Sequence, residues 1–258
     1  MAEHPQPSVA DWLLVAGWGF DASIFDELRA ALPATIRTQA LACHGAAVAI
    51  GRRAAAVQAG AAAPFGICAW SLGATIALQQ AERCPQAVAA LVLAGATPCF
   101  VVRPDWPHAM PAADFDAFAT LASSSAVAAQ SRLAALCALG ATDAPAQVRR
   151  LRRSFDRPLS GDAAGAFERG LLQDLERLRD VDLRAHLAAI DLPVAVVHGE
   201  RDALVPAEAA RRMAGMLPQA RWLPLSAEGH ALPITRAGPL AATIASVAGM
   251  QPPHPNST

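Results

Sequence analysis

A chain of 258 residues, 53% of them hydrophobic and largely alanine, is long enough to bury a sizeable core in one large domain, which excludes a disordered body. Its formal net charge is −1 and arginine supplies every fixed positive side chain, since there is no lysine; nothing in that balance calls for nucleic acid or an anionic membrane as partner. Cys43, Cys68, Cys84, Cys99 and Cys137 are odd in number, scattered and free of C-x-x-C spacing, which excludes the common zinc and dithiol patterns and fits buried thiols in a reducing cytoplasm.

Met1 to Asp11 carries acids and proline without a basic stretch, and the apolar run Trp12 to Ala16 is too short for a secretory signal. Arginines interrupt each alanine-rich stretch before about 18 apolar residues accumulate, so no membrane span is expected and the protein reads as cytoplasmic. Trp12 to Ala16 predicts a short buried strand that runs into Gly17-Trp18-Gly19-Phe20. Ser23, with Asp26 three residues on, reads as a capping box opening a helix through Leu32. Thr35 to Leu41 predicts a second strand, Val48 to Ala59 a helix, Phe65 to Trp70 a third strand, Ala74 to Arg83 the helix behind it, and Ala89 to Ala94 a fourth strand. Strands alternating with helices at this spacing mean βαβ units, a parallel sheet buried on both faces and the α/β class.

From Thr97 to His186 the rhythm breaks. A proline-rich stretch, Pro98 to Pro111, precedes helical patterns near Ala112 to Ala122, Ala126 to Leu139, Ala146 to Phe155 and Ala163 to Leu178. The last of these carries Phe167, Leu171, Leu175 and Leu178 on one face. This segment is either a helical connection completing the core or a lid over an active site, and its size favours the lid. The sheet pattern resumes with a strand at Val194 to His198, a helix at Pro206 to Met216, a strand at Arg221 to Leu225 and a closing helix at Pro239 to Ala248. The expected organisation is a core of residues 1–98 and 187–250, a helical lid of 99–186, and a polar, proline-rich tail, 251–258, that reads as disordered.

In parallel sheets chemistry gathers at the carboxyl ends of strands, which is where Gly17-Trp18 and Ser71 fall. Cys68-Ala69-Trp70-Ser71-Leu72-Gly73 sets a serine between a buried strand and a helix, on a turn sharp enough to expose its hydroxyl. The usual pattern is G-x-S-x-G, so Ala69 departs from it by one methyl group. A serine opening a helix is by itself more often an N-cap. Downstream, His198-Gly199-Glu200-Arg201-Asp202-Ala203-Leu204-Val205-Pro206 puts a carboxylate just past a strand, and Glu228-Gly229-His230-Ala231 puts a histidine just past the last strand. In this constellation Ser71 attacks, His230 takes and returns its proton, and Asp202 fixes the tautomer of His230 and stabilises its charged form. Glu200 is the rival acid and His198 the rival base; the D-x-L-V-P run favours Asp202, and a histidine still inside a strand has less freedom to reach Ser71. His44 reads as a loop histidine, and His4, His108, His186 and His254 have no acid-and-nucleophile context. The main-chain N–H groups of Trp18 and Leu72 are the natural donors to a tetrahedral oxyanion. No histidine or cysteine cluster has metal spacing, and neither metal nor cofactor is expected.

With these residues in place the chain resembles the α/β-hydrolase superfamily over nearly all its length, and within it the pimeloyl-[acyl-carrier protein] methyl ester esterases of biotin synthesis. The narrower likeness rests on Gly17-Trp18-Gly19, Trp70-Ser71-Leu72-Gly73, Pro98-Cys99-Phe100 with Asp105-Trp106-Pro107, Val181-Asp182-Leu183-Arg184, and Asp202 with His230. Ala16 stands where the superfamily usually has histidine, Ala69 replaces a glycine, and Ala42 to Gly45 lacks the usual proline-glycine form. The resemblance implies an α/β-hydrolase fold and a serine carboxylesterase that removes the methyl group masking the distal carboxylate of a pimeloyl chain. That chain arrives on an acidic acyl-carrier protein, the implied partner of an enzyme expected to be monomeric. Substrate or carrier contacts are implied at Trp18, Leu133, Arg132, Arg149 and Arg153. Arg149, Arg152 and Arg153 share one face of a helix, with Arg150, Arg132 and Arg157 nearby; the alternative is an ordinary solvated face paired to Asp143 or Asp156. The rival functions are a broad-specificity short-chain carboxylesterase and a non-catalytic binding protein on a hydrolase scaffold.

Overall fold

The structure, a computed structural model, describes residues 9–141, 143–155 and 162–249, so Arg157, Asp156, His4, His254 and the tail 251–258 lie outside the described residues. Six strands form one sheet: β1 (Asp11–Val15), β2 (Arg37–Leu41), β3 (Phe65–Trp70), β4 (Val88–Ala94), β5 (Val194–Gly199) and β6 (Ala220–Leu225). Their order is β2-β1-β3-β4-β5-β6, and every pairing is parallel. The chain therefore steps outward from β1 to β2, returns to β3 on the other side of β1, and continues away. The switch point lies between the carboxyl ends of β1 and β3, where open α/β sheets open a crevice.

The central strands are buried on both faces because both are covered. All six residues of β3 and of β5 are buried, whereas edge strands β2 and β6 alternate with exposure. Leu13, Val15, Phe65, Ile67 and Val196 face a layer with α2 (Ala46–Gln58), α3 (Leu72–Arg83) and α8 (Ala207–Met216). Trp12, Leu14, Cys68, Trp70 and Val197 point the other way, toward α1 (Asp26–Ala31) and α10 (Ala237–Val247), with the short α9 (Leu232–Thr235) before it. The two-residue side-chain period of each strand thus splits one apolar run between two cores.

Two expectations at helix starts are corrected. Ser23 does not open a helix with Asp26; a 3-10 turn, Ala22–Phe25, leads into α1, and Asp21 caps it. The Asp21 carboxylate accepts the Ser23 N–H at 2.7 Å and the Ser23 hydroxyl at 2.5 Å, so the Ser23 side chain is turned back onto Asp21, which takes the cap. The helix expected from Ala74 starts at Leu72, directly after the serine.

Between β4 and β5 the chain carries α4 (Ala112–Ser124), α5 (Ala126–Cys137), α6 (Ala144–Arg153) and α7 (Asp162–Asp180), then a 3-10 turn, Arg184–Ala189. The two ends of this connection meet. Cys99 bridges Asp182, and the Leu183 N–H donates to the Pro98 carbonyl at 2.9 Å. Arg184 reaches Asp182 at 2.6 Å and Asp105 at 2.9 Å while lying over the Trp106 ring at 5.4 Å. No helix among the described residues is long and apolar enough to cross a membrane.

Candidate active site

Ser71 directly follows β3 with φ 56° and ψ −125°, and among the described residues it is the only one other than glycine with a positive φ. Such a backbone costs on the order of 1–3 kcal/mol and persists where its surroundings over-determine it. Here the Ser71 N–H donates to Ala94 of β4 and the Ser71 carbonyl accepts the Ala74 N–H, both at 2.9 Å. Gly73 must lack a side chain, because a Cβ there would lie 2.4 Å from the Val15 carbonyl oxygen of β1. Ala69 replaces the other glycine without conflict; its methyl is fully buried in the α2–α3 layer, and Ala16 is fully buried as well.

The turn after β1 brings Trp18 over the same point. Its indole Nε1–H donates to the Leu171 carbonyl of α7 at 2.8 Å, and its ring meets Phe118 of α4 edge-on at 5.3 Å. Gln130 of α5 donates to the Gly19 carbonyl at 3.0 Å. Among the described residues neither the Trp18 nor the Leu72 main-chain N–H donates to a backbone carbonyl; Leu72 is the first residue of α3, so its N–H has no partner within the helix.

Asp202 and His230 are joined by a close crossing of loops. At Gly199 a Cβ would lie 2.4 Å from the carbonyl oxygens of Glu228 and Gly229, so only glycine lets the His230 loop pass the end of β5. The His230 Nδ1–H then donates to Asp202 Oδ2 at 2.6 Å, and Asp202 Oδ1 accepts the N–H groups of Leu204 and Val205, each at 2.9 Å. Burial pushes the Asp202 carboxyl up, but the charge and hydrogen bond of His230 with the Val205 N–H outweigh it and hold the carboxyl below its ordinary range. Trp70 steadies the histidine, donating its Nε1–H to the His230 carbonyl at 2.8 Å.

Ser71 and His230 line one cavity of about 240 Å³. Its walls are apolar, with Trp18, Phe118 of α4, Leu133 of α5 and Leu175 of α7 among them, and α4, α5 and α7 roof it. Arg132 and Asp114 supply charge, and Cys137 brings a buried thiol, pushed well up by burial and then by the Asp202 charge. Of the residues singled out from sequence, Ser71, His230, Trp18, Leu133 and Arg132 thus border this space, with Leu72 beside Ser71 and Asp202 behind His230. Arg149 and Arg153 do not border it; they are exposed on α6.

The rivals fall elsewhere. Glu200 is exposed, and His198 is buried with Nε2 donating to the Val205 carbonyl at 3.0 Å. Among the described residues Asp143 does not pair with the arginines; it caps α6 through the Ala146 N–H at 3.0 Å. Arg150 pairs with Glu27 instead. Sequence reasoning missed Phe118, Cys137 and the ties through Gln130 and the Leu171 carbonyl, although the apolar face read on α7 does supply Leu175 and Leu178 to the cavity. Among the described residues no group of three or more His, Cys, Asp or Glu side chains is placed to hold a metal ion.

Comparison with known proteins identifies the family. The model of the alpha/beta hydrolase fold family matches residues 53–237. A pimeloyl-[acyl-carrier protein] methyl ester esterase from Aromatoleum aromaticum is 36% identical over 235 residues, covering 86% of this chain and 91% of that protein. One of the same name from Stenotrophomonas maltophilia is 32% identical over 246 residues, covering 91% of each. Among solved structures, a hydrolase from Oleispira antarctica superposes with a TM-score of 0.76 at 18% identity, over 92% of this chain and 90% of that one. A bromoperoxidase from Bacillus anthracis does so with 0.78 at 16% identity, over 94% and 92%. The chain belongs to the α/β hydrolase family.

Proposed function

We propose that this protein is a serine carboxylesterase that hydrolyses the methyl ester of pimeloyl-[acyl-carrier protein] methyl ester, giving pimeloyl-[acyl-carrier protein] and methanol in biotin synthesis. The observation that carries the chemistry is the buried Asp202–His230 pair, bonded at 2.6 Å, opening onto the same cavity as a serine held in a strained turn. The substrate follows from relatives of that name matched over nine-tenths of their length, 91% in two cases.

In this reading the proton on His230 Nδ1 is held by Asp202, which leaves Nε2 free to accept. Nε2 takes the Ser71 hydroxyl proton as the Ser71 oxygen bonds to the ester carbonyl carbon. The carbonyl π electrons move to oxygen, which the N–H groups of Trp18 and Leu72 receive; losing one such donor typically costs about 2.7–4 kcal/mol of barrier. Collapse expels methoxide, which leaves as methanol with the proton from Nε2. Water, deprotonated by the same nitrogen, then attacks the acyl-enzyme, and Ser71 departs with its proton restored. The apolar walls take the methylene chain, and α4–α7 act as a lid whose helices shape that channel. Arg132 at the cavity, with Arg149 and Arg153 exposed on α6, forms the cationic side that the acidic carrier protein approaches.

The decisive test is Ser71→Ala. Turnover of a methyl ester falls by at least about 10³-fold, the scale of losing an activated nucleophile, while the melting temperature stays near that of the wild type. Near-normal activity in the variant removes the assignment. Restoring biotin-independent growth to cells that lack such an esterase tests the substrate; failure of an expressed, active protein to do so leaves an esterase of another substrate.

A further inference from the structure

Two histidines flank Asp202, and only one of them belongs to the acid–base pair. His198 of β5 is fully buried and its ring stacks on Trp222 of β6 at 5.9 Å with 28° between the planes. Its Nε2 lies 3.0 Å from the Val205 carbonyl oxygen; a carbonyl only accepts, so Nε2 carries the proton. Nδ1 is buried with no partner among the described residues, so a second proton there would sit unsatisfied in the core. Burial holds the imidazole below its ordinary range, against the pull of Asp202. His198 is therefore neutral, and its 3.6 Å approach to Asp202 Oδ2 is not an ion pair.

The contact with Val205 matters because of what the same residue does at its other end. The Val205 N–H donates to Asp202 Oδ1 at 2.9 Å while its carbonyl is held by His198. With Oδ1 pinned by Val205 and Leu204, Oδ2 is left facing the His230 Nδ1–H at 2.6 Å. We propose that His198 is a positioning residue: its neutral Nε2–H holds the Val205 segment, and through it the direction in which the Asp202 carboxylate meets His230. The proposal rests on the reading of Ser71, His230 and Asp202 given above.

A carboxylate free to turn away from Nδ1 supports the imidazolium less well, so losing the clamp moves the acid limb of the kcat/KM profile to lower pH. The titratable and charged groups about His230 are Asp202 and His198, and, lining the same cavity, Ser71, Arg132, Asp114 and the Cys137 thiol, which burial and Asp202 keep protonated; Glu228, two residues upstream, is paired with Arg236 at 2.5 Å.

The experiment compares wild type, His198→Phe, His198→Gln and Ser71→Ala on a small free methyl ester, with kcat/KM measured against pH and a melting temperature for each. Phenylalanine keeps the ring on Trp222 and removes the donor; glutamine carries an amide nitrogen near the place of Nε2. Expected for His198→Phe is a melting temperature close to wild type, kcat/KM lower by about tenfold, the scale of one hydrogen bond, and an acid limb at lower pH. His198→Gln recovers most of both. An acid limb that stays put or moves up in His198→Phe, or glutamine no better than phenylalanine, overturns the role. If His198→Phe does not fold, His198→Gln against His198→Asn makes the same comparison, since asparagine places its amide short of Val205; equal profiles overturn it. Activity retained in Ser71→Ala sinks the serine reading, whereas an inactive Ser71→Ala beside an unmoved acid limb sinks the His198 role alone.

Discussion

At Asp202 burial raises the carboxyl and the neighbouring imidazole, with the N–H of Val205, lowers it, and the lowering prevails. A carboxylate depressed in the folded state contributes stability that is fully present above the ordinary range near 3.9 and is lost as pH falls through the lower, folded value. Asp202→Asn removes that contribution. Its melting temperature therefore changes less between neutral and acidic buffer than that of the wild type, and scans at several pH values check it. The same variant lowers kcat by up to about 10⁴-fold, the scale of losing the orienting acid, because the amide no longer fixes the tautomer of His230. Gly73→Ala acts by crowding alone: with the Val15 oxygen 2.4 Å from the new methyl, α3 or β1 must shift, at a cost of about 1–3 kcal/mol or more in chemical denaturation. At the two positions where the chain departs from the superfamily pattern, Ala16 and Ala69, both methyls lie in the buried core.

At the scale of elements, the turn after β1 is held from above rather than from the sheet. Trp18 hangs from the Leu171 carbonyl of α7, and Gly19 is held by Gln130 of α5. Trp18→Phe keeps most of the ring and loses the bond. We expect kcat to fall by about tenfold, the worth of one misplaced donor, with little change in melting temperature; a lowered melting temperature with kcat intact would mean the indole only packs. This tie was not legible in the sequence. It joins residues 153 positions apart through a main-chain carbonyl, which every residue carries and which leaves no residue-type signal. The strand Phe65–Trp70 was legible to the residue, because a run buried on both faces is apolar throughout and ends at the strained serine. The start of α1 was misread, since two oxygen-bearing side chains two positions apart offer the same signal and only geometry decides that Asp21 takes the cap. The order of serine, acid and histidine could be read because each follows a strand end. The 2.6 Å contact could not, because it depends on the loop crossing at Gly199.

Over the whole molecule the balance of charge is nearly neutral, −1, so attraction of an acidic partner has to come from where arginines gather rather than from their number. Neutralising Arg149 and Arg153 together raises KM for a carrier-bound ester several-fold, leaves KM for a small free ester unchanged, and does so less at high salt, because exposed charges more than about 10 Å apart are screened. Equal effects on both substrates remove the docking surface. The doorway at Cys99 and Asp182, sealed by Arg184 against Asp105 and Trp106, carries a different lesson. A chain that leaves and rejoins its sheet through one tight aperture can have the intervening helices exchanged for those of a cousin while the strands keep their register. Such a transplant would import a new chamber wholesale, but the indole at position 18 would have to travel with it, since its anchor belongs to the imported piece.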